Sequence, residues 1–193
     1  MPKVLFLHGF SGEARGKKYL SLSDAGFDLV PPPSFKHTDV SQSISIAQQA
    51  CDEHMPDVIV GSSLGGAVAL RLKTTARLVL MAPAVDLSKT AEVMANIFFR
   101  KESGFVPFVK NPPSPWRLPS MSIVIQSRND DLVPFPAVER MALDLAASSA
   151  GDETAIRNRI EQDLVAAGYQ PLAGRLVEAG CDHQLNSAAE GTP

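Results

Sequence analysis

Ser63 stands at the centre of Gly61-Ser62-Ser63-Leu64-Gly65, between the apolar run Val58-Ile59-Val60 and the small-residue helical pattern Ala67-Val68-Ala69-Leu70. Strand, sharp turn and helix in that order make a nucleophile elbow, which projects its central residue alone at the strand's carboxyl end. By itself the pentapeptide also fits a plain strand-to-helix turn, because Gly and Ser are ordinary turn residues. A serine hydroxyl is a poor nucleophile near neutral pH. It needs a base to accept its proton, and the base needs an acid to fix its tautomer and stabilise its charged form. His183 and Asp130 can supply those parts. Their order, serine, then acid, then histidine, is the order expected when the serine sits on an elbow.

Other residues compete for these roles. Ser62 adjoins Ser63 but is not centred between the glycines, which makes it a packed or hydrogen-bonded turn residue. Asp131 is a direct neighbour of Asp130, and Asp86 follows another apolar run; a loop or helix-capping role fits Asp86. His8 falls at a strand end, whereas His37 and His54 do not and read as solvated or loop-packed histidines. Four histidines scattered in this way have no metal-site spacing, and no metal or other cofactor is expected. Cys51 and Cys181 lack metal or redox spacing and read as reduced thiols of a cytoplasmic protein.

The elements that must position these groups are short apolar strands alternating with helices. Residues 3–8 form a continuous apolar strand, as in a parallel sheet buried on both faces. A helix over 14–25, stopped by Gly26, leads to a shorter strand at 27–30, which Pro31-Pro32-Pro33 ends. A helix over 40–54 places Val40, Ile44, Ala47 and Cys51 on one face before the elbow strand. Further strands are expected at 77–82, 121–126 and 175–179. Val138, Met141, Ala142, Leu145 and Ala146 share a helical stripe after the fifth strand, and Ile156, Ile160 and Leu164 repeat every fourth residue in a second helix. Between the strands at 77–82 and 121–126, residues 87–119 change character: a helix over 89–100, then Phe105, Phe108 and Trp116 interleaved with prolines. These aromatics, with Phe98 and Phe99, are either core or the wall of a binding pocket. The pattern predicts an α/β protein with right-handed crossovers, whose ligand site lies beyond the carboxyl ends of the strands.

Length and composition agree with one soluble domain over residues 1–193: 45% of residues are hydrophobic and 20% charged. A net charge of −3 with no basic cluster argues against nucleic acid or an anionic membrane as partner, and a small molecule fits better. Met1-Pro2-Lys3-Val4-Leu5-Phe6-Leu7 is too short an apolar start for a signal peptide, and no segment reaches membrane-spanning length.

Taken together, the sequence resembles the α/β-hydrolase superfamily, in particular small bacterial serine esterases with a shortened sheet. The resemblance is carried by Leu-His-Gly-Phe at 7–10, Gly-Ser-Ser-Leu-Gly-Gly at 61–66, Asp-Asp-Leu-Val-Pro at 130–134 and Asp-His at 182–183. It implies a three-layer sandwich around about six mostly or wholly parallel strands, without the two amino-terminal antiparallel strands of larger members. It also implies Ser63 as nucleophile, His183 as general base and acid, and Asp130, three residues before the Val of Val-Pro, as its orienting partner. The backbone N–H groups of Phe10 and Leu64 would form the oxyanion hole, His8 would organise the loop, and 87–119 would sit where the family carries a cap. The activity implied is hydrolysis of a small-molecule ester or thioester through an acyl-enzyme. A ligand-binding or regulatory protein on the same fold, and a carbon–carbon bond hydrolase or acyltransferase with the same triad, are the alternatives.

Overall fold

The structure is a computed structural model that describes residues 1–10, 12–34, 39–85, 122–147, 170–171 and 176–178. Its elements in chain order are β1 (Lys3–Leu7), α1 (Lys17–Asp24), β2 (Asp28–Leu29), α2 (Val40–His54), β3 (Val58–Ser62), α3 (Leu64–Ala69), β4 (Arg77–Met81), β5 (Ile123–Gln126), α4 (Phe135–Ala147), β6 (Gln170–Pro171) and β7 (Leu176–Glu178).

The strands form one sheet in the order β2-β1-β3-β4-β5-β7-β6. Every neighbouring pair is parallel except β6 with β7. The six strands expected from the sequence are therefore present and parallel. The seventh, β6, was not anticipated: two residues carry no periodicity, and Pro171 lacks the N–H that a central strand must donate, so it is tolerated only at the outer edge. Registers of Leu7 with Gly61, Ser62 with Met81, and Met81 with Ile125 bring the carboxyl ends of β1, β3, β4 and β5 to one edge of the sheet.

Apolar runs without alternation are what a sheet covered on both faces requires. Leu5, Leu7, Ile59, Leu78, Leu80 and Val124 pack on one face with Ala47 and Cys51 of α2, Leu64 and Val68 of α3, and Val138 and Met141 of α4. Val4, Phe6 and Val60 point the other way, where Tyr19 and Leu22 of α1 pack against them. The Phe6 and Tyr19 rings meet edge to face with centroids 6.3 Å apart.

Several boundaries differ from expectation for local reasons. Helix α1 starts at Lys17 because residues before it are spent in a turn closed by Gly16 N–H donating to Glu13 O. Strand β2 shrinks to two residues and leaves Phe27 45% exposed, a short edge of the kind that limits strand addition. In α2 the fully buried position is Ser43 rather than Ile44, which is partly buried. The Ser43 hydroxyl donates to Asp39 O at 2.8 Å, so a polar residue can be buried there at little cost. Asp39 also caps the helix, accepting from Gln42 N–H at 2.9 Å. The expected helices at 89–100 and around Ile160, the segment 87–119 with its aromatics, and Asp86, His37 and Cys181 lie outside the described residues.

Candidate active site

Ser63 is held at φ 51° and ψ −115°, a conformation that costs a non-glycine residue roughly 1–3 kcal/mol. Hydrogen bonds on both sides of the residue hold it there. Its N–H donates to Met81 O at 2.9 Å, and its carbonyl accepts from Ala67 N–H at 3.1 Å and Ala84 N–H at 3.0 Å. Ala82, on the neighbouring strand end, is also at positive φ, 45°, with its N–H donating to Ile125 O at 2.8 Å.

The turn is possible because side-chain atoms are missing from it. A Cβ on Gly65 would collide with the carbonyl oxygens of Leu7 and His8, so only glycine lets α3 start hard against the end of β1. A Cβ on Gly61 would lie 2.7 Å from Gly65 O and 2.8 Å from the Gly66 Cα, where the obstacle is again backbone. The two adjacent serines separate cleanly in this frame. Ser62 is 5% exposed and its hydroxyl accepts from Lys18 Nζ at 3.2 Å, whereas Ser63 is only partly buried.

Above the elbow runs the loop that leaves β1. Gly9 approaches so closely that a Cβ there would stand 3.1 Å from the Ser63 Cβ. Its carbonyl accepts from Gly12 N–H at 3.1 Å and from the His8 ring at 3.0 Å. A carbonyl can only accept, so His8 Nδ1 carries the proton in this contact. His8 is 3% exposed, and burial pushes its pKa below the ordinary 6.5, partly opposed by the bond to Gly9. The ring thus lies inside the loop that the sequence reading expects it to organise. Phe10 packs partly buried against the core. Leu64 opens α3, and its N–H, one of the first-turn amides, has no acceptor within the helix.

The third loop leaves β5 over residues 127–134. Asp130 Oδ1 accepts from Leu132 N–H at 2.9 Å and from Val133 N–H at 2.8 Å, while Oδ2 accepts from Gln126 Nε2 at 2.8 Å. The Asn129 N–H donates to the buried Ser127 hydroxyl at 3.1 Å. On the outside of the loop the Arg128 guanidinium lies 4.5 Å from the centroid of the Phe135 ring. Asp130 is partly buried and pinned, whereas Asp131 is exposed. Ser63 and Asp130 thus both follow strand ends on one sheet edge. His183 lies outside the described residues; it follows β7, which runs parallel beside β5. His54 ends α2 at the opposite edge of the sheet. Among the described residues no group of three His, Cys, Asp or Glu side chains could hold a metal ion, and no helix is long and apolar enough to cross a membrane.

Two residues at the site escaped the sequence reading. Gln126 ends the run Ile123-Val124-Ile125 yet is fully buried. A polar residue at an inward position of a buried strand was the available signal. Lys18 carried none, since one basic residue in a helix pattern is normally solvated.

The comparisons with known proteins bear on the fold. The model of an uncharacterised protein family, UPF0227, matches residues 3–96, just under half of the chain. No curated protein matches. Among solved structures the chain is similar to mouse alpha/beta hydrolase domain-containing protein 10, with a TM-score of 0.63, 15% identity, and coverage of 98% of this chain and 85% of that one. It is also similar to a candidate hydrolase from Agrobacterium vitis S4, with a TM-score of 0.56, 17% identity and coverage of 98% and 83%. Esterase 2 of Thermogutta terrifontis, in a form phosphonylated by sarin, gives a TM-score of 0.52, 18% identity and coverage of 86% and 83%. The chain has the α/β-hydrolase fold. At these identities the likeness speaks for the fold alone.

Proposed function

We propose that the protein is a serine hydrolase that cleaves a carboxylic ester or thioester of a small molecule. The observation that carries the reading is the backbone of Ser63, held at positive φ on a strand end, directly before Leu64, whose first-turn N–H has no acceptor within the helix. A residue in that conformation is costly, and strain of this kind gathers at functional sites. The fold likeness to esterases of known structure supports the same reading.

In the proposed reaction Ser63 Oγ bonds to the substrate carbonyl carbon while its proton passes to His183. The tetrahedral oxyanion is received by the N–H groups of Leu64 and Phe10. The bond to the leaving oxygen or sulfur then breaks, and His183 returns the proton to that atom. Water repeats the sequence on the acyl-enzyme, regenerating Ser63 and releasing the carboxylic acid. Asp130 orients the imidazole and stabilises its charged form without taking the proton itself. Loss of one oxyanion donor typically costs about 3 kcal/mol of transition-state stabilisation.

A fluorophosphonate probe and p-nitrophenyl esters test this directly. The expected results are covalent labelling at Ser63, and ester hydrolysis that falls roughly 10^4-fold or more in Ser63→Ala. Activity also falls on acidification, because the base acts in its neutral form. Folded protein that neither labels nor turns over esters is a binding protein instead. Labelling without ester turnover points to acyl transfer or carbon–carbon cleavage, which a substrate panel separates.

A further inference from the structure

Gln126 is a fully buried residue whose side chain occupies the middle of the loop that carries Asp130. Its Nε2 faces three acceptors: Asp130 Oδ2 at 2.8 Å, Val133 O at 3.1 Å and, more distantly, Ser127 O at 3.4 Å. An amide nitrogen has two hydrogens, so the two short bonds use them fully. The amide cannot be reversed, because that would turn its oxygen against a carboxylate and two carbonyls. Its own Oε1 is buried with no donor among the described residues. A buried acceptor left unsatisfied is costly and rare in folded proteins. Here that cost accompanies two donations aimed at one loop, of which one lands on the carboxylate.

We propose that Gln126 is a positioning residue that acts on the reaction through Asp130. The proposal rests on reading Asp130 as the acid of the triad. The two carboxylate oxygens divide the work. Oδ1 is occupied by the Leu132 and Val133 amides, which fix where the carboxylate sits. Oδ2 takes a bond from Gln126, and it is the carboxylate as a whole that the triad reading turns towards the imidazole N–H. The Gln126 bond bears on the twist of the carboxylate about its last torsion, which is a soft coordinate. The second bond, to Val133 O, ties the far end of the loop to the same amide, so acid and loop move together. A glutamate of the same shape would put acceptors where both donors are needed, and asparagine would be one methylene too short to span the loop.

The test is a double-mutant cycle in the full chain, with kcat and KM on p-nitrophenyl acetate and thermal unfolding as a control of folding. Gln126→Met keeps length and apolar volume while removing both donors. The expected result is a kcat about 10-fold lower at a KM within about twofold of the parent, from misorientation rather than lost binding. In an Asp130→Asn background the same change should alter kcat by less than about twofold, since its route to the reaction is already cut. If Gln126→Met does not fold, Gln126→Asn, whose amide falls one methylene short of both acceptors, serves in the same cycle. Equal losses in both backgrounds, or no loss in a folded single variant, would overturn the proposal and leave the triad reading standing. Full activity in Asp130→Asn alone would overturn both.

Discussion

The elbow after β3 and the acid loop after β5 lie at the same edge of one sheet and are held in place by opposite means. At the elbow the determining contacts are between backbones: Gly65 lies against Leu7 O and His8 O, and Gly61 against Gly65 O. Main-chain hydrogen bonds carry the geometry of Ser63, one donated to the Met81 carbonyl and two accepted from the Ala67 and Ala84 N–H groups. At the acid loop side chains determine the path, since Asp130, Gln126 and Ser127 all bond to the main chain of the seven residues around them. One site is therefore broken by adding atoms and the other by removing them. A strained conformation needs a rigid frame, and backbone packing supplies one. The Asp130 loop is held instead by side-chain hydrogen bonds, which can lengthen.

The largest stability effect should come from adding one methyl group to the elbow. Gly65→Ala drives a Cβ into two carbonyl oxygens with no flexible side chain able to retreat. Destabilisation of about 3 kcal/mol or more is expected, read as a fall in the denaturant midpoint or as loss of soluble protein. A variant as stable as the parent would dissolve the contrast. In the acid loop the equivalent change is a deletion. Asp130→Ala leaves the Leu132 and Val133 N–H groups without their acceptor, at a cost of about 2 kcal/mol, while Asp131→Ala, at an exposed position, should stay within about 0.5 kcal/mol.

A smaller effect depends on pH. Burial holds the folded-state pKa of His8 below its unfolded value of 6.5. Between the two values the unfolded chain binds more protons, so stability rises with pH there. The contribution is complete above about pH 6.5 and is lost as pH falls towards the lowered folded value. Unfolding midpoints from pH 7.5 to 5 should fall in the parent and flatten in His8→Asn. The smallest effect has the opposite sign. Ser63→Gly removes the positive-φ penalty and should stabilise the fold by up to about 1 kcal/mol while abolishing turnover, which calorimetry and an ester assay separate.

The contrast also explains what was legible in the sequence. Glycines at 61 and 65 bracketing a serine are visible because a steric requirement admits a single residue type. The six parallel strands were visible because burial on two faces leaves unbroken apolar runs such as Val4-Leu5-Phe6-Leu7. Asp130 could be told from Asp131 only through the family resemblance, since the two differ in which amides they meet and not in type. The exchange of Ser43 for Ile44 on the buried face of α2 was hidden for the same reason: a hydroxyl that bonds one turn back is invisible to a hydropathy pattern. Gln126 was overlooked because its value lies entirely in partners four and seven residues ahead.

Cys51, 6% exposed on α2 with its thiol donating to Thr74 Oγ1 at 3.4 Å, gives the experimenter a reporter inside the elbow half of the molecule. It packs in the same core cluster as Leu64 and Val68 of the helix that follows Ser63. Its low exposure should make labelling by a thiol reagent slow in a Cys181→Ser background and faster in variants that loosen this core. Its labelling rate then becomes a clock for breathing of the scaffold around Ser63, independent of any turnover.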